Sequence, residues 1–385
     1  MAALPKSMRS LVAPKYCWPT DWEVVNMLVP EVTNPKDVLI KVHTASIATG
    51  DTQIARGGTR YLIGELKMPH KIGIEASGIV VSTGSGVTLF KPGDEVYSFG
   101  QCHPMDLTAE KGFCSEYAVA QENLTILKPT SCSFEDMCNM SSVITSLQTI
   151  EMGLRLMREN GVTDGLGGKT VLVTGGLGGT GYVAMQMLKN VYGVGKIITT
   201  VSTNKVPLVE QYLPGVVDQV IDYTRVKNLM DAIPPGSIDM VYNTQWLVTS
   251  LFPLVKQDVG VVASIASVPT PALVRRMLPP LPFFVYWLVG LAQWRYWLKL
   301  SGTNVKHEFN SGNPGKREDL ERAGEIMALG KIKTVNNIVK LEDIETVRKE
   351  AQKVATGKGN TGKLMVKIVE QGKSTTKSTR KSTKT

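Results

Sequence analysis

The sequence predicts an α/β protein in which a doubly wound parallel sheet, with helices on both faces, is joined to a β-rich domain. Three observations carry this. Strand-forming runs dominate up to about Leu127, and helical patterns begin only near Phe134. From Lys169 to Ser267 short apolar runs alternate with helical segments. The apolar run Val171, Leu172, Val173 is followed at once by a cluster of glycines and then by a helix-forming stretch.

The 385 residues leave room for two domains with cores of their own. At 43% hydrophobic and 20% charged the composition is that of an ordinary globular protein. Of the net charge of +9, five charges come from Lys373, Lys377, Arg380, Lys381 and Lys384. The body is therefore only mildly basic, and nucleic acid is not an expected partner. The five cysteines (Cys17, Cys102, Cys114, Cys132, Cys138) are odd in number and lack a C-x-x-C spacing, which predicts free thiols in a reducing compartment. The first nine residues have no apolar run, so no signal peptide is expected and a cytoplasmic location is.

In chain order, residues 38–42 predict a strand and 45–51 lead away from it. Residues 73–81 read as glycine-punctuated β structure, and 90–97 as a turn feeding a strand. A helical pattern covers 134–157. Strands of the parallel sheet are expected at 170–174, 196–201, 219–222, 240–243 and 260–265. Residues 277–300 are rich in aromatics and interrupted by prolines, too short and broken for a membrane span. Three roles stay open for that segment: helices packed on the core or at a dimer interface, a lining for an apolar cleft, or a patch touching a membrane. Helices at 316–329 and 342–354 precede a last strand at 363–369. The tail 371–385 is Lys, Ser and Thr with almost nothing apolar and is expected to stay solvated.

The glycines read Gly175-x-x-Gly178-x-x-Gly181, with Gly179 and Thr180 between the last two. Strand, glycine turn, helix is the context in which a backbone can approach a pyrophosphate and a helix N-terminus can offer free N–H groups to it. Sites for NAD place an acid at the end of the second strand, about 20 residues on, to hold the ribose hydroxyls. Here that strand is followed by Ser202, Thr203, Asn204 and Lys205, and the first acid is Glu210. Hydroxyl, amide and ammonium groups donate to a 2′-phosphate, which an acid would repel. NADPH is therefore the expected coenzyme.

The segments Gly73-Ile-Glu-Ala-Ser-Gly, Phe90-Lys-Pro-Gly-Asp-Glu-Val, Gly175-Gly-Leu-Gly-Gly-Thr-Gly and Thr361-Gly-Lys-Leu-Met-Val, in this order, resemble the medium-chain dehydrogenase/reductase superfamily, and most of all its zinc-independent quinone oxidoreductase and enoyl reductase branch. The resemblance implies a GroES-like catalytic domain built from residues 1–140 and 303–370, a Rossmann-type coenzyme domain at 141–302 between them, and the tail from 371. Zinc-dependent members have His at the place of Ile74 and Cys at that of Ala48, neither of which can ligate here, so no metal is expected. His43, His70, His103 and His307 are isolated in sequence, and surface or capping roles are expected for them. The resemblance further implies that Lys205 and Tyr223 grip the 2′-phosphate, that Thr145 sits beside the nicotinamide, and that Asn243 and Ala266 line the coenzyme. In the same way Asp51 marks the catalytic segment, and Tyr61, on the loop that follows, is a candidate proton donor. The implied activity is hydride transfer from NADPH to an activated C=C (enone or enoyl) or to a quinone. The implied partner is a small apolar or conjugated carbonyl or quinone, and the implied assembly a monomer or homodimer. A second reading, from the aromatic segment and the basic tail, is a catalytically weak relative that serves at a membrane or lipid surface or as a scaffold.

Overall fold

Almost every residue of Asp37–Ile47 is buried, on both faces of the strand, and this strand (β3) organises the first domain. The computed structural model describes residues 4–58, 60, 64–100, 112–246, 248–278 and 280–368. Strands β1 (Ser7–Ala13) and β2 (Glu23–Leu28) form an antiparallel pair, extended on the β1 side by β4 (His70–Lys71). The larger sheet runs β15 (Asn336–Lys340), β16 (Lys363–Lys367), β3, β5 (Glu75–Thr83), β6 (Glu95–Phe99), β8 (Thr125–Leu127), with β7 (Tyr117–Gln121) paired to β3. β16 meets β3 antiparallel, Leu364 opposite Ile47. The C-terminal segment thus adds strands to the sheet of the N-terminal part.

The join between chain ends is electrostatic as well as backbone-mediated. Glu75 is fully buried at the start of β5. Its carboxylate accepts from Ser46 Oγ at 2.6 Å, Tyr97 OH at 2.7 Å, and Ser141 Oγ and N at 2.7 and 3.1 Å. The Lys363 ammonium, also buried, pairs with it and donates to Ser141 Oγ. A buried carboxylate is tolerable when its charge and its lone pairs are matched in this way.

The expected helix over 134–157 is two helices. Phe134–Met137 opens on a Ser133/Asp136 capping box, and Met140–Glu159 follows. Asn139 causes the break: its side-chain amide donates to the carbonyls of Glu135 and Asp136 and to Asn336 Oδ1, and its own oxygen accepts from Tyr182 OH. The long helix buries Val143, Ile144, Leu147 and Ile150 in a core that also contains Tyr97 and Phe99 of the first domain and Val171 and Val183 of the second.

The second domain is a six-stranded parallel sheet, ordered β11 (Gln219–Asp222), β10 (Lys196–Val201), β9 (Thr170–Val173), β12 (Met240–Asn243), β13 (Val261–Ser264), β14 (Lys306–Phe309). The five strands expected there are present, with ends shifted by at most a residue. A domain boundary at 302 is too early. β14 hydrogen-bonds to β13, with Val261 opposite Lys306, so the parallel sheet takes in residues up to Phe309. The helix Arg317–Ala328 also belongs to this core through Leu320, Ala323 and Ile326. Chain order reverses between β9 and β12, where ligands of open α/β sheets bind.

Phe283–Leu300 is one helix that packs on the core along one side, through Tyr296 and Leu300, as expected, but none of its residues is fully buried. No described helix is long and apolar enough to cross a membrane.

The Glu75–Lys363 pair makes a direct stability prediction. Lys363→Met leaves a buried carboxylate without its counter-charge and is expected to cost roughly 3–5 kcal/mol in urea unfolding. Glu75→Gln added to it should recover part of that loss. A Lys363→Met cost below about 1 kcal/mol would show that the pair does not tie the chain ends.

Candidate coenzyme and active site

The glycine turn is built so tightly that side chains are excluded. Gly175 has φ +65°, the left-handed region, and a Cβ there would lie 2.7 Å from Thr244 Oγ1. A Cβ on Gly176 would lie 2.1 Å from Thr199 Oγ1, and one on Gly181 2.5 Å from the Gly175 carbonyl oxygen. Gly178 N donates to Gly175 O at 2.9 Å and Gly181 N to Gly178 O at 3.1 Å, which closes the turn on itself. The N–H groups of Gly179 and Thr180 take no backbone partner among the described residues. They stand at the start of the helix Gly181–Asn190, where a phosphate would be held by exposed donors and the positive helix end.

The return segment of the first domain runs over this turn. Gly362 N donates to Leu177 O at 3.0 Å, and the Gly362 oxygen lies 3.8 Å from the place of a Gly179 Cβ. Lys205, half-buried on the turn Thr203–Lys205, donates its ammonium to the Asn360 carbonyl in the same segment, and burial lowers its pKa. Ser202 precedes it and Asn204 is exposed beside it. Tyr223 N donates to Val201 O at 3.1 Å, which brings the exposed Tyr223 ring to the same end of the sheet. Ser202, Asn204, Lys205 and Tyr223 thus follow the ends of the neighbouring strands β10 and β11.

Sequence reasoning overlooked Asp222, which lies opposite Val201 at that mouth. Its carboxylate is engaged by its own turn: Thr224 Oγ1 and N donate to it at 2.7 and 3.0 Å, and Arg225 lies 3.3 Å away. The hydroxyl of Thr224 chiefly, together with Arg225, holds Asp222 below the usual carboxylate range. The acid is engaged within its own turn, and among the described residues no salt bridge joins it to Lys205.

At the switch point itself the floor is polar. Asn243 is fully buried and its side chain is spent on protein: Nδ2 donates to Ser264 Oγ at 2.9 Å and to the Gln245 and Ala266 carbonyls, while Oδ1 accepts from Thr174 Oγ1. It joins the ends of β9, β12 and β13, with Ala266 buried behind it. Thr244 and Gln245, which sequence reasoning also missed, present polar groups beside Gly175. Their position immediately after β12 at the reversal of strand order is the signal that could have found them. Thr145 lies on the helix Met140–Glu159, one residue before Ser146, whose hydroxyl reaches the Thr180 carbonyl at 3.4 Å. Gly312, at φ +71°, packs against the Thr145 hydroxyl, closing this end of the crevice.

Asp51 lies apart from that group. It is buried in the first turn of the helix Thr49–Ala55, where its oxygens accept from Ala48 N at 2.8 Å and Gly73 N at 3.1 Å. Burial pushes its carboxyl up to about 7, against the pull of those two donors. Its contacts are those of a strap between helix and β5 rather than of a group facing a substrate. Tyr61 and His103 lie outside the described residues. Ala48 and Ile74 flank the same region, and among the described residues no three His, Cys, Asp or Glu side chains are grouped to hold a metal. His43 stacks on Phe134, with ring centroids 4.4 Å apart. His307 is half-buried: it touches Ser267 Oγ at 3.1 Å, and burial pushes its pKa down to about 4.

This architecture has known counterparts. Residues 34–130 match the family described as the alcohol dehydrogenase GroES-like domain. The chain is 31% identical over 271 residues to an NADPH-dependent alkenal/one oxidoreductase of the Arabidopsis thaliana chloroplast, covering 70% of this chain and 66% of the relative. It is 32% identical over 248 residues to a 2-methylene-furan-3-one reductase of Solanum lycopersicum, covering 64% and 59%. The chain thus spans about two thirds or less of the length of these curated relatives. The quinone oxidoreductase structure from Coxiella burnetii superposes with a TM-score of 0.72 over 94% of this chain and all of that one, at 21% identity, which is a likeness of fold. The fold is a GroES-like β domain joined to a Rossmann-type parallel sheet whose switch point carries a glycine turn. The chain belongs to the medium-chain dehydrogenase/reductase superfamily.

The packing of the turn predicts a contrast between neighbouring glycines. Gly181→Ala drives a methyl into the Gly175 backbone and should lower the melting temperature by about 4 °C or more. Gly179→Ala meets only an ordinary contact and should leave it within about 2 °C. Equal melting temperatures for the two variants would contradict the tight turn.

Proposed function

We propose that the protein is an NADPH-dependent oxidoreductase that reduces an activated C=C, of an enone or enoyl type, or a quinone. The observation that carries this is the pairing, at one crevice, of a turn with two uncommitted N–H groups and a half-buried lysine at the adenosine end. The residues fit the coenzyme. Gly179, Thr180 and the helix start at Gly181 would hold the pyrophosphate. Lys205, with Ser202 and Tyr223, would hold the 2′-phosphate, since a phosphate is a stronger acceptor for the ammonium than the Asn360 carbonyl it now meets. Thr145 would sit at the nicotinamide end, with Gly312 close beside its hydroxyl.

When bound, the coenzyme supplies a hydride from C4 of its nicotinamide to the electron-poor carbon of the substrate, and a proton completes the reduced product. The chain's part is positioning and exclusion of water. Asn243 locks the strand ends beneath the crevice, and the 360–362 segment covers the turn from above. With Ala48 and Ile74 where zinc-dependent relatives carry ligands, the negative charge that develops on the substrate oxygen is left to hydrogen-bond donors. The names of the relatives, an alkenal/one oxidoreductase and a furanone reductase, support the C=C reading. Nothing in the crevice favours the scaffold alternative.

NADPH should therefore bind at least about tenfold more tightly than NADH, because a charge-assisted hydrogen bond to the 2′-phosphate is worth roughly 1.5–3 kcal/mol. Lys205→Ala should erase that preference while leaving NADH affinity unchanged. Fluorescence titration with both coenzymes checks it, and oxidation of NADPH in the presence of enones, enoyl thioesters and quinones identifies the substrate class. Equal affinities, or a preference that survives Lys205→Ala, would contradict the assignment.

A further inference from the structure

The helix Phe283–Leu300 has two faces with opposite fates. Its inner face is fastened to the coenzyme domain. Gln293 donates to the Val268 carbonyl, Tyr296 OH accepts from Val268 N at 3.3 Å, and the Tyr296 ring meets Phe252 and His307 edge-on. Its outer face carries Phe283, Trp287, Leu291, Trp294 and Leu298, spaced by three or four residues and so aligned in one stripe. All five are exposed: Phe283 is 85% accessible and Trp287 65%, and Trp297 beside the stripe is 62% accessible. Three of the six tryptophans of the chain stand on this one helix. A continuous aromatic surface of this kind on a folded domain marks a place where something binds.

Charge decides what binds. Between Asp258 and Glu308 the chain has no acidic residue, but it has Arg275, Arg276, Arg295, Lys299 and Lys306. Lys306 is paired with Glu159, and Arg275 lies over the Tyr286 ring at 4.7 Å. Arg276, Arg295 and Lys299 have no acidic partner among the described residues. Arg295 and Lys299, four residues apart, run along one edge of the apolar stripe. A second copy of the chain is a poor occupant, because a two-fold interface would set this acid-free cationic patch against itself. The tail 371–385 is poorer still, since it has no apolar side chain and is itself cationic. An anionic bilayer answers both features: tryptophan and phenylalanine settle at the headgroup level, and cations beside them meet acidic headgroups. The helix is not one that could cross the bilayer, so it would lie on it.

We propose that the outer face of Phe283–Leu300 docks the protein onto the surface of an anionic phospholipid membrane, with its aromatic stripe in the headgroup boundary and Arg295 and Lys299 on acidic headgroups. This docking does not depend on the coenzyme assignment. Because Val268 follows Ala266 and Ser267 at the end of β13, the docked helix would hold that edge of the crevice close to the lipid.

The test is cosedimentation of the full-length protein with phosphatidylcholine vesicles, with and without phosphatidylserine, read together with tryptophan emission. Binding to the phosphatidylserine vesicles, with a blue shift, is expected. The variant Trp287→Ser/Trp294→Ser/Trp297→Ser should partition at least about tenfold more weakly, and Arg295→Glu/Lys299→Glu should lose about as much on anionic vesicles only. A chain ending at Glu370 should retain blue-shifted binding that the tryptophan changes abolish. Circular dichroism and melting temperature establish that each variant is folded, since the changed side chains are exposed. Failure of the folded full-length protein to bind phosphatidylserine vesicles would overturn the proposal. So would binding that survives the tryptophan changes, or a concentration-dependent dimer in sedimentation velocity that those changes dissociate.

Discussion

The fold depends on a charge pair buried between sequence-distant parts of the chain. Glu75, at the start of β5, and Lys363, at the start of β16, meet buried from solvent, inside a cage of Ser46, Tyr97 and Ser141 hydroxyls. The pair fixes where the last strand joins the first domain. The residues just before Lys363 are then held over the glycine turn, through the Gly362 N–H on Leu177 and the Asn360 carbonyl on Lys205. One electrostatic constraint in the catalytic domain thereby sets the roof of the coenzyme crevice in the other. A buried pair is seldom the cheapest way to stabilise a core, and its better-attested use is to specify one arrangement among several. Here the arrangement specified is the closure of a domain from two ends of a chain.

The crevice shows the same economy of placement. Steric exclusion at Gly175, Gly176 and Gly181 forces the turn, and the turn leaves the Gly179 and Thr180 N–H groups uncommitted at a helix start. At the far mouth, the proposed preference for NADPH would rest on charge. Lys205 is present, and the nearby Asp222 is occupied by Thr224 and Arg225.

Which parts were legible follows from which forces are local. The strands β9, β12 and β13 are buried on both faces, so they appear as short, mostly apolar runs and could be read to within a residue. The glycine turn was legible because only glycine fits it. Asn139 was not, since its break in a helical pattern rests on contacts with Asn336 and Tyr182, far away in sequence. β14 was missed as a member of the parallel sheet because four half-buried residues, Lys306 to Phe309, carry no apolar periodicity of their own. What Asp51 and Asn243 do was not legible in the sequence: both are polar, and both spend their hydrogen bonds on the protein. The aromatic helix looked like core because its residues are those of a core. Its exposure is decided by the lack of any described element packed over its outer face, which composition does not encode.

The central claim is that this crevice passes a hydride from NADPH to carbon. The most direct measurement uses NADPH carrying deuterium at C4 of the nicotinamide, with an α,β-unsaturated ketone as acceptor and the product examined by mass spectrometry and NMR. The account predicts a saturated ketone with deuterium at the carbon β to the carbonyl, from only one of the two C4-labelled epimers, and with the α-hydrogen drawn from solvent. A saturated product without deuterium from either epimer, or no turnover with any enone, enoyl thioester or quinone despite tight NADPH binding, would contradict it.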